Sequence, residues 1–286
     1  MGGPSKVIVE RVQTSDNISD ALERLKNKRW YYLAVPGLGD GETDTVVEYI
    51  KEQRTQYHKT FKAVLPLAAA DNEGIINFAT DNIKIGAKTY TTAEFCCRIA
   101  GILAGLPLNR SATYYTLPEV ESITESETPD DDVDNGKLIL INDGTKIKIA
   151  RGVNSLTTAT EDKGEDFKKI KIIEAVDMIR DDIRATFEDE FVGKVENSYD
   201  NKIVFIAAVN KYFKDLANRG VLYDKYDNKA EIDIDETREW LSKTRDVSSW
   251  DDEKIKTANT GTNVFVRASI QIQDAIEDLK FGIYIE

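Results

Sequence analysis

The chain has 286 residues, of which 41% are hydrophobic and 31% are charged, a balance typical of globular rather than disordered proteins. Lys and Arg total 38 against 51 Asp and Glu, and the net charge of −13 repels phosphate backbones, so we expect no nucleic-acid partner. No apolar run approaches the roughly 20 residues that a membrane helix needs, so we expect no membrane partner either.

Residues 1–118 are predicted to form an N-terminal α/β domain. Strand and helix periodicities alternate in its first part as strand 6–12, helix Ser15–Arg29, strand Trp30–Val35, helix Thr43–Tyr57 and strand Phe61–Leu67. This βαβαβ order predicts right-handed crossovers and a small parallel sheet. Two short extended pieces, 75–78 and 83–85, and a helix over Ala93–Leu103 follow.

Residues 119–136 are predicted to be an acidic linker between two domains. Eight acidic residues and no basic residue lie between Glu119 and Asp134, so we expect this stretch to be exposed and mobile. Asp130, Asp132 and Asp134 have the alternate spacing of a calcium loop. The glycine comes one residue late, however, and Ile141 stands where the bidentate glutamate belongs, so no metal site is predicted.

Residues 137–286 are predicted to form a C-terminal α+β domain, which makes the chain a two-domain α+β protein. The domain opens with a β-hairpin over Lys137–Arg151, whose turn is Asn142-Asp143-Gly144. Two long amphipathic helices follow, with their apolar faces between Phe167 and Phe187 and between Ile203 and Leu216. A strand (Ala230–Ile234), helices over Asp235–Lys243 and Trp250–Ala258, and a terminal ribbon (263–286) complete it.

The terminal ribbon has apolar residues at every second position, the period of a half-buried strand. A last strand has an edge that needs a cover or a partner. It either closes its own domain's sheet or is donated to another subunit through backbone hydrogen bonds. The alternating residues that would form such an interface are Val264, Val266, Ile270 and Ile272, followed after a break by Leu279, Phe281, Ile283 and Ile285.

The motifs that resemble catalytic or cofactor sites are incomplete. Gly37-Leu38-Gly39-Asp40-Gly41 lies between a strand and a helix, as a dinucleotide fingerprint would, but Glu42 stands in place of the third glycine and would repel a pyrophosphate. His58 is the only histidine, and Cys96 and Cys97 fit small buried apolar positions of a reducing compartment. We therefore predict no catalytic residue, cofactor or metal. A small-molecule or nucleotide-binding enzyme with its site near Gly37–Gly41 is the alternative.

Several stretches together resemble the contractile tail sheath proteins of phages, especially the defective-prophage, PBSX-like type of Gram-positive bacteria. The most specific is Arg151-Gly152-Val153-Asn154-Ser155-Leu156, which follows the hairpin. The other matching stretches are 73–78, 98–108, 179–183 and the ribbon from Val266 to Ile283.

The resemblance implies a structural protein and not an enzyme. Proteins of this family stack in hexameric rings around a tail tube above a baseplate, and they shorten to drive the tube into a cell. The implied partners are therefore other copies of this chain, the tube protein and the baseplate. The implied location is the bacterial host cytoplasm during assembly and then the virion tail or a phage-tail-like particle.

The resemblance also bears on the two ends of the chain. Family members exchange terminal arms as added strands, which favours the donated-strand interpretation of the ribbon. They usually begin with an arm upstream of the first strand, whereas here Met1-Gly2-Gly3 adjoins that strand. The resemblance thus implies an N-terminally shortened form.

Overall fold

The structure is a computed structural model that describes residues 3–12, 16–39, 41–161 and 163–285. Ser15, where the first helix was predicted to begin, and Glu286, the end of the ribbon, lie outside the described residues. The chain divides into two compact units, the first formed by 1–177 with 275–286 and the second by 178–274. The predicted two-domain α+β class is confirmed.

The first unit is built around a four-stranded parallel sheet with the order β1-β2-β3-β6. Its helices and strands, in chain order, are α1 (Ile18–Leu25), β1 (Tyr32–Ala34), α2 (Glu42–Thr55), β2 (Lys62–Pro66), β3 (Ile75–Phe78), β4 (Ile83–Ile85), β5 (Lys88–Tyr90), α3 (Thr92–Gly105), α4 (Pro129–Asp134), β6 (Lys137–Leu138), β7 (Leu140–Asn142), β8 (Ile147–Ile149) and the start of α5 (Ile170–Glu190).

Both faces of the parallel sheet are covered, which explains why its strands are nearly continuous apolar runs. In β2, Ala63 and Leu65 pack on one side with α1 and α2, while Val64 packs on the other with α3 and the β7–β8 hairpin. The helices begin where capping side chains allow: Asn17 caps α1 and Thr91 caps α3, each in a reciprocal capping box.

Residues 6–12 do not form the predicted first strand. They pair with no strand in the described part of the chain, and Val7 and Val9 are 71% and 84% exposed. Instead, Glu10 accepts hydrogen bonds from Arg24 at 2.6 Å and Lys28 at 3.0 Å. Ion pairs to Arg24 of α1 and to Lys28, which follows that helix, therefore hold this segment in place of a backbone ladder.

The acidic stretch 119–136 is packed on the first unit and is not a linker between the two units. Val120 is buried, and α4 forms within the stretch. Three of its carboxylates pair with bases outside it: Glu119 with Arg98 at 2.7 Å, Glu121 with Lys84 at 2.9 Å and Asp132 with Lys137 at 2.6 Å. The boundary between the two compact units falls inside α5, after Asp177.

A buried charge cluster holds the start of α5 on the first unit. The Arg54 guanidinium of α2 donates two hydrogen bonds to the Asp177 carboxylate, at 2.9 and 3.0 Å. Lys62 of β2 donates to the same carboxylate at 2.9 Å and lies 3.2 Å from Glu174. The side chains of Lys62 and Asp177 are only 1% and 3% exposed, so these charges depend on each other for solvation.

Glu73, in the loop before β3, completes this charge cluster. It lies 3.4 Å from Arg54 and accepts a hydrogen bond from Lys163 at 2.9 Å. The next residue, Gly74, leaves room for Arg54, because a Cβ atom at Gly74 would lie 2.5 Å from Arg54 Cδ. Three cations (Arg54, Lys62, Lys163) thus face three carboxylates (Glu73, Glu174, Asp177), and the cluster is neutral.

The second unit combines the rest of α5 with a helical layer and a small ribbon. Its further elements are α6 (Tyr199–Asn218), β9 (Lys229–Ile232), α7 (Ile234–Ser242), α8 (Asp252–Thr257) and β10 (Val266–Ser269). The strands β9 and β10 pair antiparallel. The buried face of α6 contains Phe205, Val209 and Phe213, whereas Ile203, which was predicted on that face, is 39% exposed.

Replacing Asp177 by Asn should destabilise the chain by about 3–5 kcal/mol, because Arg54 and Lys62 would remain buried with one carboxylate fewer. Urea unfolding followed by circular dichroism measures this. The matched control is Glu48→Gln, which removes an exposed pair with Lys51 and should change stability by less than about 1 kcal/mol. Equal effects of the two substitutions would contradict the role of the charge cluster.

The charge cluster should also make stability fall in acid. Burial alone would raise the pKa of Asp177, but Lys62 and Arg54 outweigh burial and lower it; Arg54 and Lys163 likewise lower the pKa of Glu73. A carboxylate with a lowered folded-state pKa stabilises the protein above its unfolded-state pKa, and this contribution disappears as the pH falls through the folded-state pKa. The free energy of unfolding should therefore decrease below about pH 5, and less steeply in Asp177→Asn. Parallel pH profiles would refute this.

Candidate subunit interface

The last described residues, 275–285, form a C-terminal arm that belongs to the first unit and has no strand partner among the described residues. Its apolar side chains face solvent, and this exposure does not stabilise a monomer. The exposed fractions are 99% for Ile276, 84% for Leu279, 78% for Phe281, 75% for Ile283, 94% for Tyr284 and 94% for Ile285. Four of the eight predicted interface residues thus lie together within 279–285, a stretch that pairs with no strand in the described part of the chain.

The other four predicted interface residues lie in or beside a ribbon within the second unit. Val266, in β10, pairs with Ile232 of β9, and Ile272 forms a bridge with Leu222. Val264 and Ile270 flank β10, and all four are half-buried. The two halves of the ribbon therefore differ. The first half closes a sheet of its own chain, and the second half pairs with no strand among the described residues.

The β9–β10 ribbon has one sealed edge and one open edge. The Asn210 side chain of α6 accepts a hydrogen bond from the Ala230 N–H at 2.6 Å and donates one to the Ala230 carbonyl at 3.2 Å. Both backbone groups of Ala230 therefore point away from β10. Because Ala268 is its cross-strand partner in an antiparallel ladder, the backbone groups of Ala268 point away from β9.

The open edge therefore presents the backbone groups of Val266 and Ala268, two residues apart on β10. No third strand pairs with β10 in the described part of the chain. Side-chain contacts also hold β10 in place: Arg267 pairs with Glu231 of β9 at 2.9 Å, and the hydroxyl groups of Tyr226 and Ser269 lie 2.6 Å apart.

The stretch Arg151–Leu156 fastens two parts of the first unit together. Asn154 is fully buried; its side chain donates to the Phe167 carbonyl at 2.7 Å and accepts from the Leu156 N–H at 2.9 Å. Ser155 donates its N–H to the carbonyl of Ile75 at 2.8 Å. Val153 forms a bridge with Lys169. These bonds tie the segment to β3 and to the turn before α5.

Gly152 lies in a closely packed place. Its N–H donates to Thr113 Oγ1 at 2.9 Å, and a Cβ atom at this position would meet Ser111, Ala112 and Thr113 at 3.2–3.3 Å. Gly152 and Val153 to Leu156 are therefore structural, and only Arg151 of this stretch is ion-paired to the arm.

Arg151 links the motif to the C-terminal arm. Its Nη1 lies 3.2 Å from Glu277 Oε2, and its Nη2 hydrogen bonds to Asp278. The two carboxylates, Asp278 above all, raise the pKa of Arg151. The alternating pattern did not predict roles for Glu277 and Asp278, because they lie in its break. Asn210 was not predictable from local sequence either, because its role depends on a contact 20 residues along the chain.

The glycine loop before α2 is occupied by the chain's own carboxylate. Gly37 and Gly41 have φ values of +81° and +83°, and Gly41 begins α2 without a side-chain cap. Glu42 folds back to accept a hydrogen bond from the Gly39 N–H at 2.7 Å. An amide that a phosphate would use is therefore already bonded to an anion.

The remaining chemical candidates also have structural roles. Asp132, in the calcium-like stretch, accepts hydrogen bonds from Ser126 at 2.6 Å and Lys137 at 2.6 Å. Cys96 is buried as predicted, but Cys97 is exposed, because neighbouring positions of α3 point in different directions. Although Cys97 is exposed as a residue, local desolvation of its thiol raises the pKa, which disfavours the reactive thiolate. No helix among the described residues is long and apolar enough to span a membrane.

Models and relatives from one protein family match nearly the whole chain. The family model described as "Phage tail sheath protein central domain" matches residues 12–155, and that described as "Phage tail sheath C-terminal domain" matches residues 162–286. The chain is 38% identical over 283 residues to the "Tail sheath protein" of Clostridium phage phiCD119, covering 98% of this chain and 79% of that protein. It is 25% identical to the "Phage-like element PBSX protein XkdK" of Bacillus subtilis over 61% of this chain and 39% of the relative.

Solved structures show the same fold. The sheath tail protein of Desulfitobacterium hafniense superposes with a TM-score of 0.69 at 22% identity, covering 75% of this chain and 52% of that one. The helical sheath of the anti-feeding prophage in its contracted state superposes with a TM-score of 0.66 at 12% identity, covering 96% and 76%. The chain thus spans about half the length of the Desulfitobacterium protein.

Replacing Asn154 by Ala should destabilise the chain by about 2–4 kcal/mol, because the buried Leu156 N–H and Phe167 carbonyl each lose a partner. The matched control within the same stretch is Arg151→Gln, which removes partly exposed ion pairs and should change stability by less than about 1 kcal/mol. Thermal or urea unfolding measures both. If Arg151→Gln proves the more destabilising, the roles assigned to these two residues are wrong.

Proposed function

This chain belongs to the phage tail sheath protein family, and from that premise we propose that it polymerises in stacked hexameric rings around a tail tube through strands exchanged between subunits. The family is structural, which confirms that the chain is not an enzyme. The alternative of a nucleotide-binding enzyme with its site at Gly37–Gly41 is therefore set aside. The observation that carries the proposal is the exposed apolar stretch from Leu279 to Ile285, which pairs with no strand among the described residues.

The arm supplies what a donated strand needs. Leu279, Phe281, Ile283 and Ile285 alternate along it and are at least 75% exposed, so one face of an added strand would be apolar. Burying four such side chains against a neighbour is favourable by about 1.5–3 kcal/mol each before ordering is counted. The backbone of residues 279–285 would gain ladder hydrogen bonds at the same time.

The open edge of β10 is the receiving surface that this proposal assigns. Its outward backbone groups at Val266 and Ala268 match the donors and acceptors of an incoming strand, and Asn210 blocks the opposite edge at Ala230. Val264, Val266, Ile270 and Ile272 then take part as the receiving strand, while Leu279 to Ile285 take part as the donated one. Both halves of the predicted interface are used, in different roles.

The proposed mechanism is that of a contractile sheath. Compact units move as bodies while extended arms keep neighbouring subunits connected. The energy would be stored in the interfaces between subunits and not taken from a nucleotide. This agrees with the Glu42 carboxylate, which already occupies the glycine loop where a nucleotide phosphate would bind. In this proposal the tube protein and baseplate are the further partners, and assembly takes place in the host cytoplasm before the sheath becomes part of the virion or tail-like particle.

The test uses a variant that lacks residues 279–286 and a synthetic peptide of residues 275–286 added in trans. We expect the fluorescently labelled peptide to bind the truncated chain, because the open edge of β10 is free to accept it. A peptide carrying Ile283→Pro should bind at least about tenfold more weakly, because Pro removes a ladder donor. Fluorescence anisotropy measures both.

The receiving edge is tested by Ala268→Pro in the truncated chain, which removes an outward N–H without removing a donor to β9. Thermal melts of the truncated chain and of this variant establish that both remain folded. Loss of peptide binding in Ala268→Pro supports the assignment. Equal binding of the Pro-containing and native peptides would refute strand donation.

A further inference from the structure

The C-terminal arm is attached to the first unit by charge, with its apolar residues turned away from the protein. Glu277 is 19% exposed at its side chain and pairs with Arg151, whereas its neighbour Ile276 is 99% exposed. An arm that collapsed on its own unit would show the reverse, with the isoleucine covered and the glutamate in water. The attachment therefore leaves the apolar side chains free.

We propose that Arg151 is the positioning residue of the C-terminal arm: its guanidinium clamps Glu277 and Asp278, so that the strand donated to a neighbour begins at Leu279. This inference rests on the proposed strand exchange. It assigns to Arg151 a role different from that of the other residues of its stretch, which hold the first unit together.

The clamp has a rigid base. Ala150 donates its N–H to the Ile139 carbonyl at 2.9 Å, and Gly152 donates its N–H to Thr113 Oγ1 at 2.9 Å. The backbone on both sides of Arg151 is thus fixed to other segments of the first unit. The guanidinium, which is planar and has several donors, reaches one carboxylate with Nη1 and the next with Nη2.

The clamp also limits where the arm can reach. The seven residues from Leu279 to Ile285 can extend at most about 25 Å from the clamped point. A strand that starts from a fixed point loses less conformational freedom when a neighbour captures it than one attached through a longer mobile tether. Arg151 therefore acts on strand exchange through the arm, and high salt should weaken its effect because the pairs are partly exposed.

The first measurement is made on the isolated chain. Backbone 15N relaxation in the native chain should show Ile276 to Asp278 more ordered than Phe281 to Ile285. In Arg151→Gln the order of Ile276 to Asp278 should fall towards that of the arm's end, while the amides of β8 stay unchanged. A charge exchange, Arg151→Glu with Glu277→Arg and Asp278→Arg, should restore the order, which a packing role of Arg151 would not allow.

The second measurement is self-association of the full chain by sedimentation velocity. Arg151→Gln should weaken it roughly 3- to 10-fold at low salt, and the charge exchange should restore it. Unchanged order at Ile276 to Asp278 in Arg151→Gln would overturn the clamp. A failure of strand donation itself would appear in the peptide-binding experiment and would leave the relaxation result unaffected, so the two failures can be told apart.

Discussion

The carboxylate of Asp177 is the group on which the first unit depends most. It lies where α2, β2 and the start of α5 meet, and it neutralises Arg54 and Lys62 in a place that excludes water. A buried charge without its partners is strongly unfavourable, so these elements hold one another in a single arrangement. The first unit ends within α5 at this residue, so the charge cluster fixes the part of α5 that belongs to the first unit.

The exposed arm is attached to a part of the first unit that is itself held in place. A mobile base would make an apolar tail an aggregation hazard, since unpaired strands with exposed apolar faces pair with any available edge. Here Arg151 attaches the arm at Glu277 and Asp278 to a segment fixed by Asn154 and Ser155. In the second unit, Asn210 closes one edge of the ribbon and leaves the other open. The attachment of the arm and the single open edge of the ribbon together limit where a strand can be added.

The sequence predicted the features that depend on local periodicity. Most helices and strands, the Asp143-Gly144 hairpin and the two-domain α+β class follow from spacing and turn residues. Contacts between distant residues were not predictable: Arg54 and Asp177 are 123 residues apart, and the bases that pair with three carboxylates of the stretch 119–136 lie outside it. The two halves of the terminal ribbon share one period of two, so the pattern alone cannot tell a strand paired within the chain from one left free.

Strand donation by residues 279–285 is tested most directly by hydrogen–deuterium exchange, which compares the amides of Leu279 to Ile285 in the isolated chain and in assembled sheath. In the isolated chain these amides should exchange almost as fast as an unfolded peptide, because no strand partner is present among the described residues. In the sheath, alternate amides should be protected at least about 100-fold, together with Val266 and Ala268 on the receiving edge. Equally fast exchange of Leu279 to Ile285 in both states would show that these residues are not donated as a strand.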